Sequence, residues 1–196
     1  LVDVLLASAS PRRAEILRNA GIEFTVYASD VDETRHDGEM ADTYVSRVAA
    51  AKAEKAAAHL QRTGGDAVVI AADTVVVAGN EILGKPKDAA DAKRMLRLLS
   101  GQSHEVRTGL AIIADPTEVP GVQVVTTRVN FAKMSDAEID EYVSTGEPFD
   151  KAGAYGIQGI GGKFVTGVGG CYFNVMGLPL SRVWAALVAI EARRSR

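Results

Sequence analysis

The sequence predicts a mixed α/β fold in a single domain over residues 1–196, and three observations carry that prediction. Strand-length apolar runs alternate with segments of helical period through the first half of the chain, as strand–helix–strand units require. Hairpin and long β-rich signals enter in the middle, so a mixed sheet fits better than an all-parallel one. No internal repeat, low-complexity tract or charge block marks a second independent domain, and two lobes around a cleft are compatible with this organisation.

The elements follow in order. Leu1 to Ala7 is an apolar strand broken by Asp3; Pro11 to Ala20 is a helix, with Pro near its first turn and Gly21 just past its end; Phe24 to Ala28 is a strand. From Ala41 to Gln61 the positions Val45, Val48, Ala49, Lys52 and Ala56 recur at helical spacing until Gly64-Gly65 stop them. Ala67 to Ala72 is a strand, Asp73-Thr74 interrupts, and Val75 to Val77 resumes before a Gly79-Asn80 turn returns Ile82-Leu83. Asp88 is placed to cap a helix over Ala89 to Leu99, and two β-rich segments follow at His104 to Ala114 and Val122 to Ala132. Ser135 and Glu138 form a capping-box signal for a short helix ending near Thr145-Gly146. Glycines crowd the stretch from Gly153 to Gly170; Tyr172 to Met176 reads as one more strand, and Leu180 to Ala192 as a closing amphipathic helix.

Composition excludes several classes. With 47% hydrophobic and 24% charged residues, the chain has the mix of a globular domain with a sizeable core. One cysteine, Cys171, cannot close an intrachain disulfide or build a cysteine metal site, and a cytoplasmic setting is the simpler reading. The N-terminal apolar run is too short for a signal peptide or membrane span, so no membrane partner is expected. A net charge of -3 gives no global attraction to nucleic acid, and phosphate binding would have to come from locally placed cations and backbone N–H groups. The basic residues Arg193, Arg194 and Arg196 read as cations favoured at a helix C-terminus.

Four segments can carry chemistry. In Ser8-Ala9-Ser10-Pro11-Arg12-Arg13 a polar loop joins a buried strand to a helix N-terminus. There the hydroxyls of Ser8 and Ser10, free N–H groups and two guanidiniums suit a phosphate. The alternative is a serine cap with two solvated arginines. Asp73 follows a run too apolar for a surface loop; it can hold a divalent cation, take a proton from water, or merely cap a turn. Glu33, in an acidic run, is a second candidate metal carboxylate or part of a solvated loop.

Lys85, between Gly84 and Pro86, suits a phosphate, but Pro86 occupies the place where a P-loop needs Ser or Thr, which removes that motif. Lys52 shares the inward row of its helix, or else snorkels to solvent. The segment from Phe149 through Lys151 to Gly159 brings glycines beside Tyr155 and Gln158, whose amide offers a donor and an acceptor to a base edge; an irregular glycine-rich strand is the alternative. His36, His59 and His104 lack metal-ligand spacing, and no G-x-S-x-G elbow occurs.

Taken in order, Leu6 to Arg13, Val31-Asp32-Glu33, Ala72-Asp73-Thr74, Gly84-Lys85-Pro86, Asp150 to Gly159 and Asn174 to Leu180 resemble the Maf family of nucleoside triphosphate pyrophosphatases nearly end to end. The resemblance implies an elongated, twisted mixed sheet flanked by helices, with two lobes around a central cleft as in inosine triphosphatases. It also implies a divalent cation, Mg²⁺ or Mn²⁺, and frequent homodimers. By the same resemblance Asp73 is the proton acceptor, and Arg13, Glu33, Lys52 and Lys85 are polar cleft positions; the expected metal ligands are Asp73 and Glu33, the two candidate carboxylates. Arg12, Thr74 and Gln158 match the branch that prefers dTTP and UTP, whereas the 7-methyl-GTP branch has Trp and Glu at the first and last of these. Cys171 stands where many members have serine.

The expected reaction is attack of water on the α-phosphorus with pyrophosphate leaving. A nucleotide-binding regulator of cell division, independent of hydrolysis, is the alternative from another class.

Overall fold

The computed structural model describes residues 2–196, so Leu1, the start of the expected first strand, lies outside the described residues. The strands are β1 (Val4–Leu6), β2 (Thr25–Val26), β3 (Val68–Ala78), β4 (Glu81–Leu83), β5 (Ser103–Ile113), β6 (Gly121–Phe131) and β7 (Val165–Gly169). The helices are α1 (Pro11–Asn19), α2 (Ala41–Thr63), α3 (Ala89–Leu99), α4 (Asp136–Ser144), α5 (Tyr172–Val175) and α6 (Leu180–Arg194), with three 3-10 segments at Glu147–Asp150, Ala152–Ala154 and Ile160–Phe164.

The sheet runs in the order β2-β1-β3-β5-β6-β7, with β4 paired to β3. It is mixed: β1 pairs in parallel with β2 and β3, while β3–β4 and β6–β7 are antiparallel. Local chemistry explains most boundaries. Gly64 ends α2 in the left-handed region at φ 73°, and Gly79 turns the β3–β4 hairpin at φ 58°. Asp88 caps α3 by accepting from the Asp91 N–H at 2.8 Å, and Ser135 with Glu138 completes the expected capping box.

Two expectations change. Asp73-Thr74 does not interrupt the sheet, since β3 is one unbroken strand of 11 residues. A cation neutralises the Asp73 carboxylate where it is buried, so the ladder need not open to hydrate it. Tyr172 to Met176 is not a strand but contains the short helix α5. The chain reverses after β7 at Gly170, φ 129°, and the turn buries Asn174, whose side-chain amide donates to the Val106 carbonyl (3.1 Å) and the Thr127 hydroxyl (3.2 Å). Those tertiary bonds outweigh the β preference of an aromatic-rich segment.

The residues form two compact units. One comprises the chain through Asp73 with Thr108–Val125 and Gly177–Arg196; the other comprises Thr74–Arg107 and Thr126–Met176. The first has a core of small and aliphatic side chains, including Leu5, Ala49, Ala53, Ala56, Val69 and Ile113. The second packs Met95, Leu96, Phe131, Tyr142, Tyr155 and Phe164. Its rings meet edge to face, Phe131–Tyr155 at 4.7 Å and Tyr142–Phe164 at 5.5 Å between centroids. Arg194, in the basic tail, pairs with Asp66 at 2.9 Å and donates to the Ala114 carbonyl at 2.6 Å. No helix among the described residues is long and apolar enough to cross a membrane.

Candidate active site

The first unit begins its site where β1 runs out. Ala7 still donates to Ile70 O at 2.8 Å, after which Ser8 to Ser10 form the loop that Pro11 converts into α1. Ser8 is buried and accepts from the Ser10 N–H at 3.2 Å. Ser10 makes no side-chain capping bond, so the ordinary cap is not what occupies its hydroxyl. Arg13, in the first turn, is buried, with Nε donating to Gly177 O at 2.7 Å and Nη1 to Ser8 Oγ at 3.1 Å. Burial pulls its pKa below the ordinary range; the Asp73 carboxylate opposes that pull, Arg12 adds to it, and Glu33 opposes it. Arg13 is therefore held inside, near both carboxylates, while Arg12 is half-buried.

Lys52 comes from α2, whose inner row of Val45, Val48, Ala49, Ala53 and Ala56 is small enough for the helix to lie against backbone. At Gly109, on β5, an added Cβ would sit 2.3 Å from the Val45 carbonyl oxygen. This close seat turns Lys52 inward, where it is 6% exposed, and settles the choice against a snorkelling lysine. Its ammonium lies 2.9 Å from Asp73 Oδ1 and 2.7 Å from Glu33 Oε1. Asp73 is 7% exposed in mid-strand, a cost that only a close cation makes tolerable.

Glu33 sits on the irregular loop after β2, and several straps from α2 hold that loop. Ser29 Oγ donates to Lys52 O (3.0 Å), Tyr44 to Glu33 O (2.9 Å), Arg47 to Thr34 O (2.9 Å), and Lys55 to the Asp30 carbonyl. Arg47 also grips Glu39 bidentately at 2.7 and 2.8 Å, which lowers the Glu39 pKa to about 2. Burial, followed by the charges of Asp73 and Glu33, pushes the Tyr44 phenol up to about 12. Sequence reasoning missed Tyr44, Arg47 and Glu39; Tyr44 and Arg47 lie on the helix that carries Lys52, but their partners on the preceding loop, Glu39 among them, are not visible in a local pattern.

Asp73 and Glu33 meet at the Lys52 ammonium, so two carboxylates stand close enough together to offer oxygen donors to a divalent cation. Among the described residues no group of three or more His, Cys, Asp or Glu could hold a metal by itself. The pair of Asp73 and Glu33 has the oxygen donors of a site for an ion that takes one or two carboxylates and completes its shell with water and phosphate oxygens, as Mg²⁺ does.

The second unit carries the remaining candidates. Thr74 follows Asp73 directly along β3 and is half-buried. Lys85 is exposed on the loop after β4. The Gly153 N–H donates to Gly84 O at 3.0 Å, joining that loop to the glycine-rich segment. Gly153 is left-handed at φ 71°, and a Cβ there would lie 2.7 Å from Val76 Cγ2. Lys151 turns its ammonium to its own segment, 2.8 Å from Glu147 O and 2.6 Å from Asp150 Oδ1. Gln158 is exposed on the turn between Gly156 and Gly159. Within the first unit, then, Ser8, Arg13, Glu33, Lys52 and Asp73 come together, and within the second the Lys85 loop adjoins the segment that bears Lys151 and Gln158.

The family described as Maf-like protein matches residues 3–190. The chain is similar to a dTTP/UTP pyrophosphatase of Koribacter versatilis, 50% identical over 181 residues, covering 92% of this chain and 91% of that one. A dTTP/UTP pyrophosphatase of Geotalea uraniireducens is 51% identical over 185 residues (94% and 93%), and one of Myxococcus xanthus 51% identical over 184 residues (94% and 90%). With a family match and half-identical relatives spanning nearly all of its length, this chain belongs to the Maf family.

Proposed function

We propose that the protein is a hydrolase of acid anhydrides that cuts nucleoside triphosphates, dTTP and UTP in preference, to the monophosphate and pyrophosphate, a house-cleaning role in nucleotide metabolism. One observation supports it above others: the buried Asp73 carboxylate touches Lys52, which also touches Glu33, with Arg13 beside them. Half-identical relatives named for that reaction agree with it, as do Arg12, Thr74 and Gln158.

In this reading Asp73 orients the attacking water and accepts its proton at a carboxylate oxygen. Arg13, Lys52 and Lys85 neutralise charge on the triphosphate and the departing pyrophosphate, with Ser8, Ser10 and Lys151 adding donors along the chain of phosphates. A Mg²⁺ or Mn²⁺ ion held by Asp73 and Glu33 would supply charge neutralisation and polarisation of phosphate oxygens. Gln158 pairs its amide with the carbonyl and N–H edge of uracil or thymine. The setting is cytoplasmic and the assembly a homodimer, as the family resemblance implies.

A nucleotide panel with divalent metal, assayed separately for pyrophosphate and orthophosphate, tests the reading; pyrophosphate release from UTP and dTTP ahead of purine triphosphates is expected. Asp73→Asn keeps the shape and removes the charge, and turnover should fall by roughly two or more orders of magnitude. Near-normal turnover in that variant would remove Asp73 from the chemistry, and nucleotide binding without product would favour the regulator.

A further inference from the structure

The turn that carries Gln158 is held from behind by a carboxylate with no part in the chemistry above. Glu147 Oε1 accepts from the Tyr142 hydroxyl at 2.8 Å and from the Gly161 N–H at 3.0 Å, while Oε2 accepts from the Ile160 N–H at 2.8 Å. The same Tyr142 hydroxyl accepts from the Gly156 N–H at 3.1 Å. One carboxylate and one phenol thus fix backbone on both sides of Gln158.

A side chain added at three of the turn's glycines would displace the groups that hold it. A Cβ at Gly156 would lie 2.6 Å from Lys151 Cε, at Gly159 2.4 Å from Glu147 Oε2, and at Gly161 2.5 Å from the Tyr142 hydroxyl. Glycines are needed there for the fit as much as for flexibility, and glycine-rich backbone left unclamped would have to be ordered each time a base bound. Burial raises the Glu147 pKa, but the hydrogen bonds from Gly161, Ile160 and Tyr142 and the charge of Lys151 outweigh it and leave the group below its ordinary range. It is a permanent anion at neutral pH, suited to accepting several donors at once.

We infer that Glu147 and Tyr142 are a positioning pair that fixes the Gly156–Gly161 turn and thereby sets the Gln158 amide against the pyrimidine edge. This rests on the reading of Gln158 as the base reader. Neither residue touches substrate; both act through the turn, so the effect falls on discrimination between bases and not on cleavage itself.

The test compares kcat and KM for UTP and CTP in Glu147→Gln, Tyr142→Phe, Gln158→Ala and the Glu147→Gln/Gln158→Ala pair, with amide hydrogen exchange at Ile160 and Gly161. Glu147→Gln keeps one acceptor oxygen and puts an NH₂ against either the Ile160 or the Gly161 N–H. We expect the UTP-to-CTP ratio of kcat/KM to fall about tenfold, the scale of one misplaced hydrogen bond, through KM with kcat kept within about twofold. Ile160 and Gly161 should exchange faster, and the double variant should fall no further than Gln158→Ala. An unchanged ratio in Gln158→Ala overturns the base reading and this inference with it. A lowered ratio there with a normal one in folded Glu147→Gln overturns the inference alone, as does an additive loss in the double variant. If Glu147→Gln does not fold, Tyr142→Phe decides by the same ratio, and a wild-type value overturns the inference.

Discussion

His104 is sealed between Phe131 and Tyr155, 2% exposed, with Nε2 2.9 Å from the Tyr155 hydroxyl and Nδ1 without a partner among the described residues. Burial lowers its pKa from the ordinary 6.5 to about 4. Between those values the unfolded chain takes up a proton that the folded chain refuses, so stability falls as pH drops through that window. The loss amounts to about 3 kcal/mol once pH 4 is reached. Urea denaturation at pH 7 and near pH 4 measures it, and His104→Leu, though less stable overall, should show a flatter pH dependence. An identical dependence in the variant would place the acid sensitivity elsewhere. At this scale Asp73 and Lys52 were legible, because a charge within an apolar run or on the inner row of a helix needs a partner. Glu147 was not, because its partners at Gly156, Ile160 and Gly161 are set by a turn that no local pattern announces.

At the scale of the element, the seat of α2 on β5 decides where Lys52 points. Gly109→Ala would drive a methyl into the Val45 carbonyl, and backbone on both sides leaves the helix as the part that must move. Destabilisation of about 1–3 kcal/mol or more is expected from such overpacking. Because α2 carries Lys52, turnover should also fall by tenfold or more, the scale of a small displacement of a positioned group. Thermal unfolding together with UTP hydrolysis checks both; a variant normal in each would mean that the helix can withdraw without moving Lys52. Element boundaries with chemical caps, such as Asp88, Ser135 and Gly64, were readable from the sequence. Tyr172 to Met176 was misread as a strand because the burial of Asn174 against Val106 and Thr127 is a long-range demand.

For the molecule as a whole, a net charge of -3 means that an anionic substrate is received by local cations or by a bound metal, not by a general field. Lys52 already partly neutralises the Asp73 and Glu33 carboxylates. Removing divalent metal with a chelator should therefore abolish UTP hydrolysis while leaving the thermal midpoint of the nucleotide-free protein unchanged. Full activity in excess chelator would exclude the metal from the reaction. Restored metal plus a non-hydrolysable UTP analogue should raise the midpoint by mass action.

The sequence by itself determined the mixed α/β class, nearly every element and the family, because periodicity, caps and short motifs are local and survive without three-dimensional context. Tertiary structure alone decided that Lys52 bridges Glu33 and Asp73, that Asp73 lies within one unbroken strand, and that Glu147 grips the Gln158 turn. Each of these depends on the distance between atoms far apart in the chain, which the packing of α2 and of the glycine-rich turn sets.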